Sequence, residues 1–258
     1  TIAAGQTLYA ALTWRAAAPA SAPFGVSVRL VGAGGVTWAQ PTDEKPFGPL
    51  FLPPQWPLET PLRQPIALPI PWGTPPGSYS VVLLVYDPLT GAALPPQERV
   101  GPAPAVEGGL DLRPVTVMRG EAAARPALVR FGPLALIEAT SPATVVSPGD
   151  AVPVELLWQA VEPPAEPLVV VVQLLGAHDA LMANLEEQPV RGRYPTAAWT
   201  ANELVRDRHT LTLPAGIPTG VYRLIVGVYR AHDLARLKAR VGPFDERTYW
   251  MIKHLTVR

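Results

Sequence analysis

The chain contains no cysteine among its 258 residues. That excludes disulfides, thiolate metal sites and cysteine nucleophiles outright. Charge is also scarce, at 16% of the sequence, against roughly 25% in an average soluble protein. The 21 basic and 21 acidic residues cancel, and no Lys/Arg cluster offers the basic face that nucleic-acid binding requires. Nucleic acid is therefore not an expected partner. No apolar run approaches the roughly 18 residues of a membrane helix. The run Leu168–Val172, for example, is broken by Gln173. No signal peptide is present and the sequence begins at Thr1, so it reads as a piece of a longer protein. Helical periodicity is nearly absent; the best short candidates are 120–125 and 231–238.

Proline and glycine, in contrast, are plentiful. The 33 prolines and 21 glycines fall largely between apolar runs, where they punctuate short strands and forbid long helices. Apolar residues make up 48% of the chain, enough to build a real core.

One stretch is written twice. Gly5-Gln6-Thr7-Leu8-Tyr9-Ala10-Ala11-Leu12-Thr13-Trp14 returns as Gly149-Asp150-Ala151-Val152-Pro153-Val154-Glu155-Leu156-Leu157-Trp158. Each copy is a turn glycine followed by alternating apolar residues ending on tryptophan, the pattern of a half-buried strand. A second strand follows in both, with Phe24, Val26, Val28 and Leu30 matched by Leu168, Val170, Val172 and Leu174. Trp56 then matches Trp199, and Leu68-Pro69 is aligned with Leu213-Pro214 as the close of a further strand. Pro76-Gly77-Ser78-Tyr79 aligns with Thr219-Gly220-Val221-Tyr222, each turn leading into an apolar strand that ends on Tyr86 or Tyr229. Both copies close on a short strand, Val115–Val117 and Leu255–Val257.

Many short strands with frequent turns indicate an all-β protein of two tandem Ig-like β-sandwich domains. The boundary lies in 119–126, giving domains 1–118 and 119–258. Trp14 and Trp158 are expected in the two cores. Leu128–Ile137 reads as an opening strand of the second copy. The first copy shows no counterpart for it: either the equivalent strand lies upstream of Thr1 or another segment fills the slot, and an unfilled slot would leave an unpaired edge. The insert Pro46–Trp56 is apolar and proline-laden, and is expected to fold over a sandwich rather than stand exposed.

The second copy also resembles a known family. Pro148-Gly149-Asp150, Leu156-Leu157-Trp158-Gln159, Val172-Gln173-Leu174-Leu175, Gln188-Pro189, Gly192-Arg193-Tyr194-Pro195-Thr196, Trp199, Glu203–Asp207 and Gly220–Leu224 carry the likeness. The family comprises uncharacterised extracytoplasmic β-sandwich modules of bacterial membrane proteins, often appended to mannosyltransferase-like glycosyltransferases. The resemblance spans nearly all of 128–258. In the first copy Asp87-Pro88-Leu89-Thr90-Gly91 matches the family's turn, where the second copy departs with Arg230-Ala231-His232-Asp233. It implies a place outside the cytoplasmic membrane and attachment to a larger parent protein, and it implies no active site.

The residues themselves mark no chemistry. Ala177-His178-Asp179 and Ala231-His232-Asp233 repeat a tripeptide, but zinc needs three or four converging ligands, and Asp favours turns for its own reasons. His209 and His254 read as surface or half-buried strand residues. Asp43-Glu44 and Glu186-Glu187 read as solvated loops, since neighbours in a loop do not face each other across a sugar. Arg191, Arg193, Arg206 and Arg208, interleaved with Glu186, Glu187, Glu203 and Asp207, read as a solvated face. No Gly-x-Ser-x-Gly elbow or phosphate loop occurs; Gly32–Gly35 reads as a hairpin.

Aromatics supply the remaining candidates for a ligand. Trp199, Tyr194 and Arg193 in the second copy, and Trp56 and Trp72 in the first, could stack sugar rings, although the equivalence of Trp56 and Trp199 favours packing. The sequence therefore indicates a non-enzymatic module acting in protein interaction or as a scaffold, with a carbohydrate-binding module as the alternative and a hydrolytic enzyme as the remote one, and it marks no catalytic residue, metal or cofactor. Its partners are the rest of its parent protein and either a cell-surface glycan or another protein.

Overall fold

The computed structural model describes residues 1–41, 45–96, 108–241 and 247–258, and these form strands, 3-10 turns and loops. The chain divides into two compact units, Thr1–Arg119 and Gly120–Arg258. Each is a β-sandwich. No α-helix occurs among the described residues, and 231–238 is a turn with an isolated bridge.

The first unit contains β1 (Ile2–Ala3), β2 (Thr7–Trp14), β3 (Gly25–Val31), β4 (Thr37–Ala39), β5 (Leu62–Pro69), β6 (Gly77–Tyr86) and β7 (Leu110–Met118). One sheet runs β1-β7-β6-β3-β4, and among the described residues the facing sheet consists of β2 and β5. The second unit contains β8 (Val129–Phe131), β9 (Leu134–Thr140), β10 (Val145–Val146), β11 (Ala151–Ala160), β12 (Leu168–Leu175), β13 (Leu181–Glu187), β14 (Leu204–Thr212), β15 (Gly220–Arg230), β16 (Ala239–Arg240) and β17 (Trp250–Val257). Its sheets run β10-β17-β15-β12-β13 and β14-β11-β9-β8-β16.

Period-2 alternation places Val26, Val28 and Leu30 of β3, with Tyr79, Val81 and Leu83 of β6, in the first core. Val170, Val172 and Leu174 of β12, with Leu224, Val226 and Val228 of β15, do the same in the second. Both units carry the tyrosine corner of Ig-like sandwiches. Tyr79 Oη donates to the Pro75 carbonyl at 2.7 Å, and Tyr222 Oη to the Pro218 carbonyl at 2.7 Å. Burial pushes the Tyr79 phenol up to about 12.

Strand register corrects one sequence alignment. β2 pairs with β5 from Thr7↔Pro69 to Trp14↔Leu62, and β11 with β14 from Ala151↔Thr212 to Gln159↔Leu204. Leu68 therefore corresponds to Leu211, and Ile70 to Leu213. The Leu-Pro dipeptides align two residues out of register. A shift of two leaves every side chain on the same face, so the apolar pattern could not detect it.

Leu128–Ile137 also differs from the expected single strand. Gly132, at φ 55°, turns the chain within it. β8 and β9 pair across that turn, from Phe131↔Leu134 to Val129↔Leu136.

The repeated tryptophans are not equally buried. Trp158 is fully enclosed, with Phe131 edge-on at 6.1 Å. Trp14 is half-buried and packs on Phe24 and Trp56 at 5.5 and 5.9 Å. Phe47 reaches Trp56 at 5.6 Å, so part of the insert 46–56 folds onto its own unit. Leu50 at its tip stays exposed. Trp158→Ala should accordingly cost roughly 3–5 kcal/mol, and Trp14→Ala distinctly less; urea unfolding of the two variants measures both. Equal losses would contradict the difference in burial.

Candidate functional site

The aromatic candidates are distributed as structural parts. Trp199 is 1% exposed and Tyr194 is 3% exposed, so neither ring can stack on a sugar. Trp199 Nε1 donates to the Tyr194 carbonyl at 3.1 Å, and Trp56 Nε1 donates to the Phe51 carbonyl at 3.3 Å, five residues upstream in each copy. Both tryptophans follow a 3-10 turn, 196–198 and 53–55, whose first carbonyl accepts the tryptophan backbone N–H. The same bonds in both copies make this a shared packing device. Trp72 is half-buried and lies on Gly5, where a Cβ would meet the indole at 2.4 Å. Gly5 is thus required by close approach as well as by its φ of 87°. Arg193 alone is exposed. In the second unit Trp199 and Tyr194 turn into the core while Arg193 faces solvent, and the five candidates form no stacking platform.

The strongest polar constellation is one that sequence reasoning missed. On β14, Val205, Asp207, His209 and Leu211 share the inward face, and all four are buried. His209 Nε2 lies 2.6 Å from Asp207 Oδ2, and His209 Nδ1 lies 3.1 Å from Glu187 Oε2. Asp207 also accepts from Trp158 Nε1 at 3.3 Å and from the Val190 backbone N–H at 2.8 Å. Burial pushes the imidazole down, but hydrogen bonds and charge from Asp207, then Glu187, outweigh it. His209 is therefore held above its usual 6.5. A protonated ring donates to both carboxylates at once. The alternation of β14 was the available signal, since it places 207 and 209 in phase with Val205 and Leu211. Register then assigns Gln64 to the position of Asp207, and Gln64 Oε1 accepts from Trp14 Nε1 at 2.8 Å. The indole-to-polar bond is common to the copies, whereas His209 is replaced by Ile66.

This network has the residue types of a catalytic dyad without the access. The side chains of Asp207 and His209 are completely enclosed, and Glu187 is 32% exposed. Among the described residues no hydroxyl or thiol nucleophile bonds to the imidazole. Glu203 is likewise buried, accepting from Tyr194 Oη at 2.6 Å and the Thr200 backbone N–H at 2.9 Å.

The expected solvated face is therefore divided. Asp207, Glu203 and His209 are interior. Arg206 and Arg208, on the opposite face of β14, pair with Glu155 of β11. Glu186 and Glu187 belong to β13 rather than a loop; Glu186 accepts from Asn184 and Tyr229 at 2.9 and 2.7 Å. Those bonds hold its carboxyl below the usual range.

The two His-Asp tripeptides occupy turns. Asp179 pairs with Arg223, and His232 with Glu166. His254 is exposed. Asp43 and Glu44 lie outside the described residues. Among the described residues no group of three or more His, Asp or Glu side chains is arranged to hold a metal, and no helix is long and apolar enough to cross a membrane.

In the first unit the notable feature is a gap. An apolar cavity of about 370 Å³ lies between the sheets, lined by Leu8, Leu12, Val28, Ile66, Leu68, Val81 and Leu112 among others. A second, of about 310 Å³, reaches Val26, Gln64 and Ile66.

No family model and no curated protein matches the chain. Among solved structures it is similar to the C-terminal domain of wzt, at 10% identity and a TM-score of 0.36, covering 55% of this chain and 82% of that one. It is also similar to the CARDB domain of the PF1109 protein from Pyrococcus furiosus, solved with di-metal ions. That match has 12% identity and a TM-score of 0.29, covering 53% of this chain and 95% of that one. Likeness at this level says nothing about function.

The raised pKa of His209 fixes a sign for stability. A group whose folded pKa exceeds its unfolded value contributes fully below the unfolded pKa and loses that contribution as pH rises through the folded one. The second unit should therefore lose stability as pH rises above about 6.5. His209→Gln should flatten that slope, as read by urea melts across pH. An unchanged slope would mean that the buried ring is neutral.

Proposed function

We propose that this chain is a non-catalytic module of a larger, membrane-bound protein, placed outside the cytoplasm, where it holds or positions another polypeptide. The observation that supports this is the inequality of the two sandwiches. The second unit covers its five-stranded sheet with five strands and uses its buried charges internally. In the first unit the described residues cover a five-stranded sheet with two strands, over an apolar gap. Exposed apolar surface with unpaired backbone is the ordinary raw material of protein recognition. The extracytoplasmic setting and the membrane-bound parent rest on the family resemblance of the second copy. A carbohydrate-binding role is the second reading, and it loses its main support with Trp199, Tyr194 and Trp56 buried.

A photo-crosslinking residue at Tyr9, which is 77% exposed on β2, tests this in cells that make the native protein. A control goes at Val221, 66% exposed on β15. A discrete polypeptide adduct is expected from position 9 and not from 221. No adduct at 9, combined with a specific hit on a glycan array, would transfer the module to the sugar-binding reading.

A further inference from the structure

β2 is the least protected strand edge among the described residues. Native proteins blunt such edges with charge, proline, short length or cover. Thr7–Trp14 has eight residues and none of them is charged or proline. Its neighbour β5, which forms the other edge of the same ribbon, carries Arg63, Pro65 and Pro69. β4 has three residues, β1 and β16 have two each, and β14 carries Arg206 and Arg208.

The second unit shows what the same position looks like when it is filled. β11 corresponds to β2, and its second side is paired by β9, antiparallel, from Glu155↔Thr140 to Ala160↔Leu134. Strand register transfers those positions to 11–16 in the first unit. Leu134 and Leu136 of β9 are fully buried, and so are Val129 and Phe131 of β8 behind it. With that cover, Val152, Leu156 and Trp158 have essentially no exposure. Their counterparts Leu8, Leu12 and Trp14 are only half-buried. The cavity of about 370 Å³ is lined by Leu8 and Leu12 on one side and by Val81, Leu112 and Arg113 on the other.

One polar position agrees. Lys253 pairs with Leu224 across β17 and β15, and its Nζ donates to the Ser141 carbonyl just beyond β9 at 3.2 Å. Arg113 holds the equivalent position in the first unit, paired with Val81 and lining the cavity. The apolar walls and a cation at the far end thus repeat the surroundings of β9.

From this geometry we propose that the open side of β2 binds an extended strand of a partner protein, added antiparallel along 11–16, with apolar residues at alternate positions entering the gap. The proposal rests on the scaffolding reading above and specifies its mode: main-chain pairing gives the grip, and two or three alternate apolar side chains give the selectivity. β9 gives the chemistry of the partner, because it is a working example of such a strand.

The test uses the full chain and a synthetic peptide of residues 127–141, which contains β8 and β9. Peptide binding is followed by fluorescence anisotropy and by hydrogen–deuterium exchange. Saturable one-to-one binding is expected, with new protection confined to 11–16. A peptide carrying A139D should bind about tenfold or more weakly, because register sets residue 139 opposite Leu12, where the charge would have to enter the apolar gap. Leu12→Asp in the protein should weaken binding similarly. The exchange map reads the edge in the unaltered chain, so the outcome does not depend on that variant folding. Absence of binding, equal binding of the charged peptide, or protection outside β2 would overturn the proposal. So would protection of 11–16 without peptide that grows with protein concentration alongside a dimer in sedimentation velocity, since a second copy would then occupy the edge. A failed peptide with a retained polypeptide adduct at position 9 would sink strand addition alone, whereas loss of both would sink the scaffolding reading as well.

Discussion

The structure depends on covering the inner face of one apolar sheet in each unit. The central strands β3 and β6, and their counterparts β12 and β15, are runs of Val, Leu and Ile that cannot face water. At roughly 25 cal/mol per Å² of apolar surface, that cover is the dominant favourable term in folding. A second sheet must therefore lie over them, and its width decides how much of the face is closed. The second unit spends five strands on the task. The first has two among its described residues, supplemented at one end by the cluster of Trp14, Phe24, Trp56 and Phe47. Differences in burial between equivalent positions follow from that one difference in width.

Polar groups in the second unit follow the same constraint. Once β14 is fixed over β12 and β13, its inward positions 207 and 209 have no water to turn to. Each must find a partner inside or carry a desolvation cost of several kcal/mol. Asp207 meets an indole N–H, a backbone N–H and an imidazole, which is nearly all that a carboxylate can accept. The trio has the composition of a catalytic relay and the surroundings of a core. Enclosure, rather than residue type, decides between those readings. The first unit resolves the same position with Gln64 and Ile66, a neutral pair that requires no counter-charge.

The repeat and many of the turn positions were legible in the sequence because period-2 alternation and Pro/Gly punctuation are local signals. The tryptophan bonds shared by residues 56 and 199 were foreshadowed by their equivalent positions. Other features were not legible, for a common reason. Alternation reports which face a residue occupies, but not how deep that face lies or which strand stands beside it. Hence the letters leave His209 as a surface or half-buried strand residue, place Glu186 and Glu187 in a loop, and align the Leu-Pro pairs, which lie two residues out of register. Tyr194 and Trp199 look like a sugar platform in a string of letters because aromatics serve equally well inside and outside a protein.

What the sequence by itself determined is the all-β class, the duplication and the lack of any thiol. The class and the missing thiols follow from composition and short-range alternation, and the duplication from the match of 5–14 with 149–158. Only the tertiary structure decided that Trp158 is enclosed while Trp14 is half-open, and that a His-Asp-Glu trio is interior. It also decided that one strand edge, unmarked in the letters of Thr7–Trp14, lacks a described neighbour on one side. The physical reason is that burial belongs to pairs of sheets, not to single strands. A strand carries the same alternating pattern whether or not another lies beside it.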